Sequence, residues 1–299
     1  MPRNIPKSVA IPRSLAEVEA ILVDDEVHDI LYLAGGTDLV LDANERRLPP
    51  CDVLIYLDRI PELKEIERRG DMLLIGSCVT HEELAASPMI RELFPMLAQA
   101  ADGVGSPPIR TMGTIGGNLA RSSPAGDVAT SVQALDAVIV TIGRNGGRRI
   151  FCHEFHVAPR KSVLENGELI VRIEVPIPHG LTGSAFEKIG GRKTMFIASV
   201  SCGAFLVLDP ETGRITDARL CQGSIAPTPV RVPAAEQLLI GQLPGEALFE
   251  LAAEAAREQA HPRTSHRGTA QYRREMAGAL TLRCLRRALE TASKEDEKK

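Results

Sequence analysis

The chain has 299 residues, 44% of them hydrophobic, enough to bury a sizeable core shared among two or three domains. A net charge of -4 leaves no broad cationic footprint for nucleic acid or a membrane surface, and zero tryptophans with 3% aromatic residues exclude a base-stacking platform. No apolar run reaches membrane-spanning length and Met1-Pro2-Arg3-Asn4 leads into no signal-peptide core, so the expected location is cytoplasmic.

The first predicted element is a helix after an extended lead over residues 6–12. Ser14 and Glu17 make a capping box, and Leu15, Val18, Ile21 and Leu22 share a face. Residues 29–34 read as a strand ending in the glycine turn Ala34-Gly35-Gly36-Thr37-Asp38. Strands follow at 53–57 and 72–75, then a helix capped by Thr80 and Glu83, a second restarted by Ser87-Pro88, and another helical turn that Pro95 starts and Gly103 ends. Adjacent Pro107 and Pro108 make residues 104–110 read as a loop leading into a second glycine turn, Thr114-Ile115-Gly116-Gly117-Asn118.

Beyond Asp127 the pattern changes to short strands. Residues 138–142 and 148–151 flank Gly143-Arg144-Asn145-Gly146-Gly147 as a hairpin, and a strand over 169–175 stops at Pro176 and Pro178. Residues 177–183, rich in turn formers, form the candidate domain boundary. An antiparallel pair, 197–208 with 215–222, turns around Asp209-Pro210-Glu211-Thr212-Gly213. Helices are expected at 245–259 and 270–292, the second with a core or interface stripe of Met276, Leu280, Cys284, Leu285, Ala288 and Leu289, and a disordered tail at 293–299. Arg283, Arg286 and Arg287 suit the negative end of that helix as solvated charges.

The six cysteines, at 51, 78, 152, 202, 221 and 284, include no C-x-x-C pair. Neither a zinc ribbon nor a local iron–sulfur ligand set is written here, and Cys152-His153-Glu154-Phe155-His156 offers too few ligands at known spacings for a metal. Free thiols are the expectation. No nucleophile elbow, H-E-x-x-H or Walker motif is present, so no catalytic residue is assigned.

The two glycine turns carry the functional reading. Consecutive backbone N–H groups can receive a pyrophosphate without side-chain entropy, provided the residues tolerate positive φ and close approach, which glycine does. Each turn alone is equally an ordinary tight turn, and neither has the G-x-G-x-x-G spacing of a Rossmann site. As a pair they read as two halves of a cradle for a phosphate-rich cofactor. Asp127 reads either as a ligand acceptor or as a cap, Lys188 as a phosphate contact or a solvated cation, and Asn118 as a contact or a turn residue.

Both turns, Ser123-Pro124-Ala125-Gly126-Asp127, the Lys188 strand and Arg267-Gly268-Thr269-Ala270-Gln271-Tyr272-Arg273 resemble the FAD-binding medium subunit of the molybdenum hydroxylases, over nearly the whole chain and in the same order. The resemblance implies an α+β fold: a two-part FAD-binding domain of the p-cresol methylhydroxylase or vanillyl-alcohol oxidase type over 1–178, with parts at about 1–58 and 59–178, and a small C-terminal α+β domain over 179–292. It implies that Tyr32, Leu33, Ala34, Gly35, Gly36, Thr37, Asp38 and Leu39, with Thr114, Ile115, Gly116, Gly117 and Asn118, hold the pyrophosphate and neighbouring sugar groups. Ser123 lies in the matching segment; Asp127, Ile170 and Lys188 match an acidic, an apolar and a lysine contact; and Val104 and Ile197 fall on opposite sides of the isoalloxazine.

The implied function is electron transfer within a heterotrimer. A large chain carries molybdopterin, a small chain carries two two-iron, two-sulfur clusters, and the flavin passes electrons to an acceptor such as NAD. Where members of the family often carry an acid, Met195-Phe196-Ile197-Ala198 has Phe196, which sets NAD as acceptor in question, and no cysteine-bearing insertion of the benzoyl-CoA reductase type occurs. The alternatives are a self-sufficient flavin oxidase or dehydrogenase, for which the C-terminal unit leaves little room, and a non-catalytic FAD-dependent assembly module.

Overall fold

A computed structural model describes the backbone of residues 6–192 and 194–296. Three short parallel strands form its first sheet. β1 (Ser8–Ala10), inside the extended lead, pairs with β3 (Val53–Tyr56), which pairs in turn with β2 (Ile30–Leu33). Between β1 and β2 lies α1 (Leu15–Leu22), whose Val18 and Leu22 are buried. The Ser14 hydroxyl accepts the Glu17 N–H, while the Glu17 carboxylate takes the Arg13 N–H instead of closing the expected box. After β2 the chain makes α2 (Leu39–Asn44), a helix that buries none of its residues and so leaves no periodicity to read.

β4 (Ile66–Arg69) and β5 (Met72–Gly76) begin a second sheet. Six helices follow: α3 (His81–Ala86), α4 (Pro88–Leu93), α5 (Pro95–Asp102), α6 (Pro107–Arg110), α7 (Ile115–Arg121) and α8 (Asp127–Ala134). α3 has a complete capping box between Thr80 and Glu83, and Ser87 caps α4. Two expectations are corrected here. The stretch containing Pro107 and Pro108 is not all loop, because both prolines occupy the first turn of α6, where no N–H is needed. The second glycine turn is the first turn of α7, N-capped by Thr114, with the Gly117 N–H donating to its hydroxyl at 3.1 Å.

β6 (Val138–Ile142), β7 (Arg149–Phe151), the turn α9 (Cys152–Phe155), the small ladder β8 (His156–Ala158) with β9 (Lys161–Ser162), and β10 (Leu169–Pro176) complete this part. The five-stranded sheet runs β4-β5-β10-β6-β7, and all of its pairings are antiparallel. Every residue of α8 is buried, since that helix is sandwiched between this part and the next.

The C-terminal part is an antiparallel sheet, β11 (Leu181–Ile189), β12 (Val200–Leu208), β13 (Ile215–Gly223) and β14 (Val230–Arg231), followed by α10 (Pro233–Leu239), α11 (Glu246–Gln259) and α12 (Ala270–Asp296). α12 crosses β11 so closely that a Cβ at Gly183 would sit 1.9 Å from the Ala288 carbonyl oxygen. Its stripe is core: Leu280, Cys284, Leu285 and Ala288 have no exposed surface, Met276 and Leu289 pack half-buried against them, and burial of each fully buried leucine contributes about 2 kcal/mol. The expected tail differs. The helix continues through 293 to Asp296, and 297–299 lie outside the described residues.

β12 is buried along its whole length because helices cover both faces of the sheet, which accounts for its unbroken run of apolar and small residues. On the side facing α5, β11 stitches the two parts together. Ser184 Oγ accepts the Met96 N–H at 3.2 Å, the Phe186 N–H donates to Gln99 Oε1 at 2.8 Å, and Lys188 Nζ donates to the Gly103 carbonyl at 2.7 Å. All six cysteines are free and buried.

Candidate functional site

A cleft of about 420 Å³ opens between the first sheet, α7 and the start of β10. The segment 31–39 forms one wall, Thr114, Gly116, Gly117 and Asn118 form the facing wall, and Val104, Ile109, Leu169 and Ile170 supply apolar surface. Glycine is required at the junction of these walls. A Cβ at Gly35 would lie 1.5 Å from the Met112 carbonyl oxygen, and Gly36 has φ +72°. Likewise Gly116 packs on Ser77, whose backbone oxygen would be 2.7 Å from an added Cβ.

The two glycine segments differ in what they offer a ligand. In the second, the N–H groups are already used: Ile115 to Val79 O, Gly116 to Ser77 O, and Gly117 and Asn118 to Thr114. In the first, no protein acceptor takes the N–H groups of Gly35, Gly36, Thr37 and Asp38 among the described residues. The cradle is therefore asymmetric: backbone donors come from one wall, and the other contributes shape and side chains. Three buried polar atoms of cleft-lining residues, Ser77 Oγ, His81 Nδ1 and Asn118 Oδ1, have no partner among the described residues. Buried polar atoms without partners are costly, so this wall suits a ligand with its own donors and acceptors.

Charge around the cleft is balanced internally. Arg121 reaches Asp38 at 3.1 Å and Asp42 at 2.5 Å, and Arg47 reaches Asp42 at 2.8 Å. The Arg121 bond, against the opposing effect of burial, holds the Asp42 carboxyl down at about 2. This pairing reduces the repulsion the two acids would exert on phosphate. Burial, then the nearby Arg110 charge, pushes His81 down to about 4, so its imidazole is neutral at pH 7. Tyr32 donates to the Gly167 carbonyl at 2.7 Å, and burial raises its phenol well above the ordinary value. Glu168 accepts from Thr141, Arg148 and the Glu165 N–H; burial opposes ionisation, yet these bonds hold its carboxyl below the ordinary range.

Five sequence-predicted residues stand away from the cleft wall. The Ile115 side chain is fully buried in the core, and Ser123 uses its hydroxyl to accept the Ala125 N–H. Asp127 and Lys188 bond each other at 2.6 Å, and Lys188 also donates to Gly103 O at 2.7 Å and Phe196 O at 3.2 Å. Through Gly103 this pair lies directly behind Val104. Asp127 Oδ1 stays unpartnered, and burial raises its carboxyl to about 6 against the opposing charge of Lys188. The Phe196 ring lies 4.8 Å from Lys188 Nζ, and Ile197 is 64% exposed, outside the cleft lining.

Sequence reasoning missed Ser77, His81, Asp42 and Arg121. A signal existed for the last two: Asp42 follows Asp38 by one helical turn, and Arg121 follows the second glycine pair by one turn of α7. Ser77 and His81 come from the β5–α3 junction, far in sequence from either glycine pair.

A strand-end loop with free N–H groups, closed by a glycine-tight second segment and lined by orphan polar atoms, defines a binding chain for a phosphate-bearing nucleotide cofactor. Comparison with known proteins narrows this. Residues 5–178 match the FAD binding domain in molybdopterin dehydrogenase, and residues 184–288 match the CO dehydrogenase flavoprotein C-terminal domain, so the chain belongs to this FAD-binding flavoprotein family. It is 34% identical over 278 residues to caffeine dehydrogenase subunit beta of Pseudomonas sp. (strain CBB1), covering 93% of this chain and 92% of that one. To the carbon monoxide dehydrogenase medium chain of Hydrogenophaga pseudoflava it is 32% identical, covering 93% and 95%. A solved carbon monoxide dehydrogenase from that organism, lacking the Mo-pyranopterin moiety of its molybdenum cofactor, superposes with a TM-score of 0.86 at 32% identity, over 96% of this chain and 98% of the other.

Proposed function

We propose that this chain is the electron-transfer flavoprotein of a molybdenum-containing dehydrogenase, in a heterotrimer with a large molybdopterin subunit and a small subunit carrying two-iron, two-sulfur clusters. The observation that carries the reading is the run of uncommitted N–H groups at residues 35–38 facing the orphan Asn118 side chain across the cleft. On this reading residues 1–178 are the FAD-binding unit and 179–292 the C-terminal unit.

Gly35, Gly36, Thr37 and Asp38 receive the pyrophosphate, with Tyr32, Leu33, Ala34 and Leu39 shaping that wall. Thr114, Gly116, Gly117 and Asn118 set the opposite one, backed by Ile115 and the Ser123 segment. Val104 and Ile170 exclude water from the isoalloxazine, while Asp127 offers Oδ1 and Lys188 fixes the Gly103 and Phe196 carbonyls. When bound, FAD supplies a carrier that takes electrons singly and releases them in pairs. The protein sets its position and exposure, and none of its residues is asked to act on the substrate of the complex. Phe196, held by Lys188 through its carbonyl and ring, adjoins the side where an acceptor such as NAD approaches.

The test is the visible spectrum of the purified chain and then of its complex. About one FAD per chain, bleached anaerobically once the partner's clusters are reduced, is expected. A folded chain that takes up no FAD sinks the proposal. Bound flavin that the reduced clusters leave oxidised replaces it with the assembly-module reading.

A further inference from the structure

The loop before α12 gathers positive charge without neutralising it. Arg263, Arg267, Arg273 and Arg274 fall within twelve residues, and none has a carboxylate within 4 Å among the described residues, whereas Arg257, Arg283, Arg286 and Arg287 on α11 and α12 all do. Arg273 is 7% exposed. Its Nε donates to Ser199 O at 2.9 Å and its Nη1 to Arg263 O at 2.7 Å, both neutral carbonyls. Arg267 Nε is buried with no hydrogen-bond partner among the described residues. A buried guanidinium facing only carbonyls and other cations is an unusual arrangement, because desolvating a charge is costly unless an opposite charge compensates it.

The loop is built rather than loose. Ser265 and Gly268 exchange both backbone hydrogen bonds, at 3.0 and 3.1 Å, and Gly268 takes φ +147° to close that turn. The Ser199 hydroxyl donates to Arg267 O at 2.7 Å, which fixes the backbone of Arg267 against the start of β12. Thr269 and Thr264 cap the start of α12, taking the Tyr272 N–H at 3.1 Å and the Ala270 N–H at 3.0 Å. The helix therefore contributes the field of its positive end, while the guanidinium groups supply the donors. Burial, with the charges of Arg267 and Arg263, also lowers the affinity of Arg273 for its proton, as a cluster of like charges should.

We infer that Arg263, Arg267 and Arg273, at the start of α12, form a binding site for an oxyanion, a phosphate or a carboxylate, distinct from the cofactor cleft. No residue of this loop lines that cleft, so the inference stands whatever the cleft binds. Two sources share this chemistry: a phosphate-bearing solute, or an acidic side chain of a partner subunit.

The experiment is thermal unfolding of the full chain in excess FAD, which keeps phosphate from acting through the cleft. Sodium phosphate and sodium glutarate are each titrated against sodium chloride at matched ionic strength, on the wild type, Arg267→Gln and Arg267→Lys. Arg267 is partly exposed and its Nε has no hydrogen-bond partner among the described residues, so Arg267→Gln is expected to fold. In the wild type one anion raises Tm saturably by roughly 3 °C beyond chloride. Arg267→Gln loses that increment and Arg267→Lys keeps part of it. A response to phosphate assigns a solute, and a response to glutarate alone assigns a partner's carboxylate. No increment with either anion, or the same increment in Arg267→Gln, overturns the site.

Discussion

Replacing Lys188 by methionine shortens the unbranched side chain by one atom and removes its charge. Three acceptors then lose their donor: the Asp127 carboxylate, Gly103 O and Phe196 O. Even with Lys188 present, burial raises Asp127 from 3.8 to about 6. A carboxyl whose folded-state pKa lies above its unfolded value favours folding below pH 3.8 and loses that benefit as pH rises through about 6; by pH 7 the ionised group costs about 3 kcal/mol relative to its unfolded value. Without the ammonium the folded-state value rises further. Breaking a buried ion pair costs about 3–5 kcal/mol when the remaining charge has nowhere to go. Asp127 escapes by binding a proton, easily at pH 5 and at growing cost at pH 8. Lys188→Met in excess FAD should therefore lower Tm by about 10 °C at pH 8 and by well under half of that at pH 5. Adding Asp127→Asn should remove the pH dependence of the loss. Circular dichroism melts at the two pH values decide it. Equal losses at both, or a loss below about 2 °C at pH 8, would refute the account of Lys188 as the counter-ion that keeps Asp127 charged.

Gly35→Ala should leave a folded chain that no longer retains flavin through gel filtration, because its Cβ would enter the Met112 carbonyl and force the cradle walls apart. Asn118→Leu should weaken FAD binding about tenfold, the worth of one buried hydrogen bond, read by quenching of flavin fluorescence; unchanged affinity would mean Oδ1 faces no ligand. Thr80→Ala removes the hydroxyl that accepts the Glu83 N–H, while the Glu83 carboxylate keeps the backbone N–H of residue 80; the loss should cost about 1 kcal/mol, seen as a Tm lower by roughly 2–4 °C with flavin stoichiometry intact.

What the residues announced was whatever local chemistry writes plainly. The Thr80–Glu83 box, the Ser87-Pro88 restart and the stripe from Leu280 to Ala288 each reflect one physical rule, and each stands where the pattern puts it. The first glycine turn was legible as a strand-end loop because the apolar strand β2 ends at it. The second reads as a turn because Gly-Gly weakens any helix signal; close packing of Gly116 on Ser77 overrides propensity and makes it the start of α7. α2 escaped notice because none of its residues is buried, and α6 because two prolines conceal a first turn. Ser77, His81 and Asp127 Oδ1 acquire their importance from being buried without partners, a property of the assembled fold that no spacing along the chain encodes.

The stitching of β11 to α5 bears on how the molecule can be taken apart. Ser184, Phe186 and Lys188, alternate residues of one strand, each bond the first part of the chain, and Phe186, Phe205 and Val207 belong to the same core as Leu97 and Val132. The stretch at 177–183 is thus a change of topology rather than a hinge. Cutting there would strip a wall from the first unit's interior and leave Phe186, Phe205 and Val207 without their core partners, so neither part can be exchanged or engineered without the other.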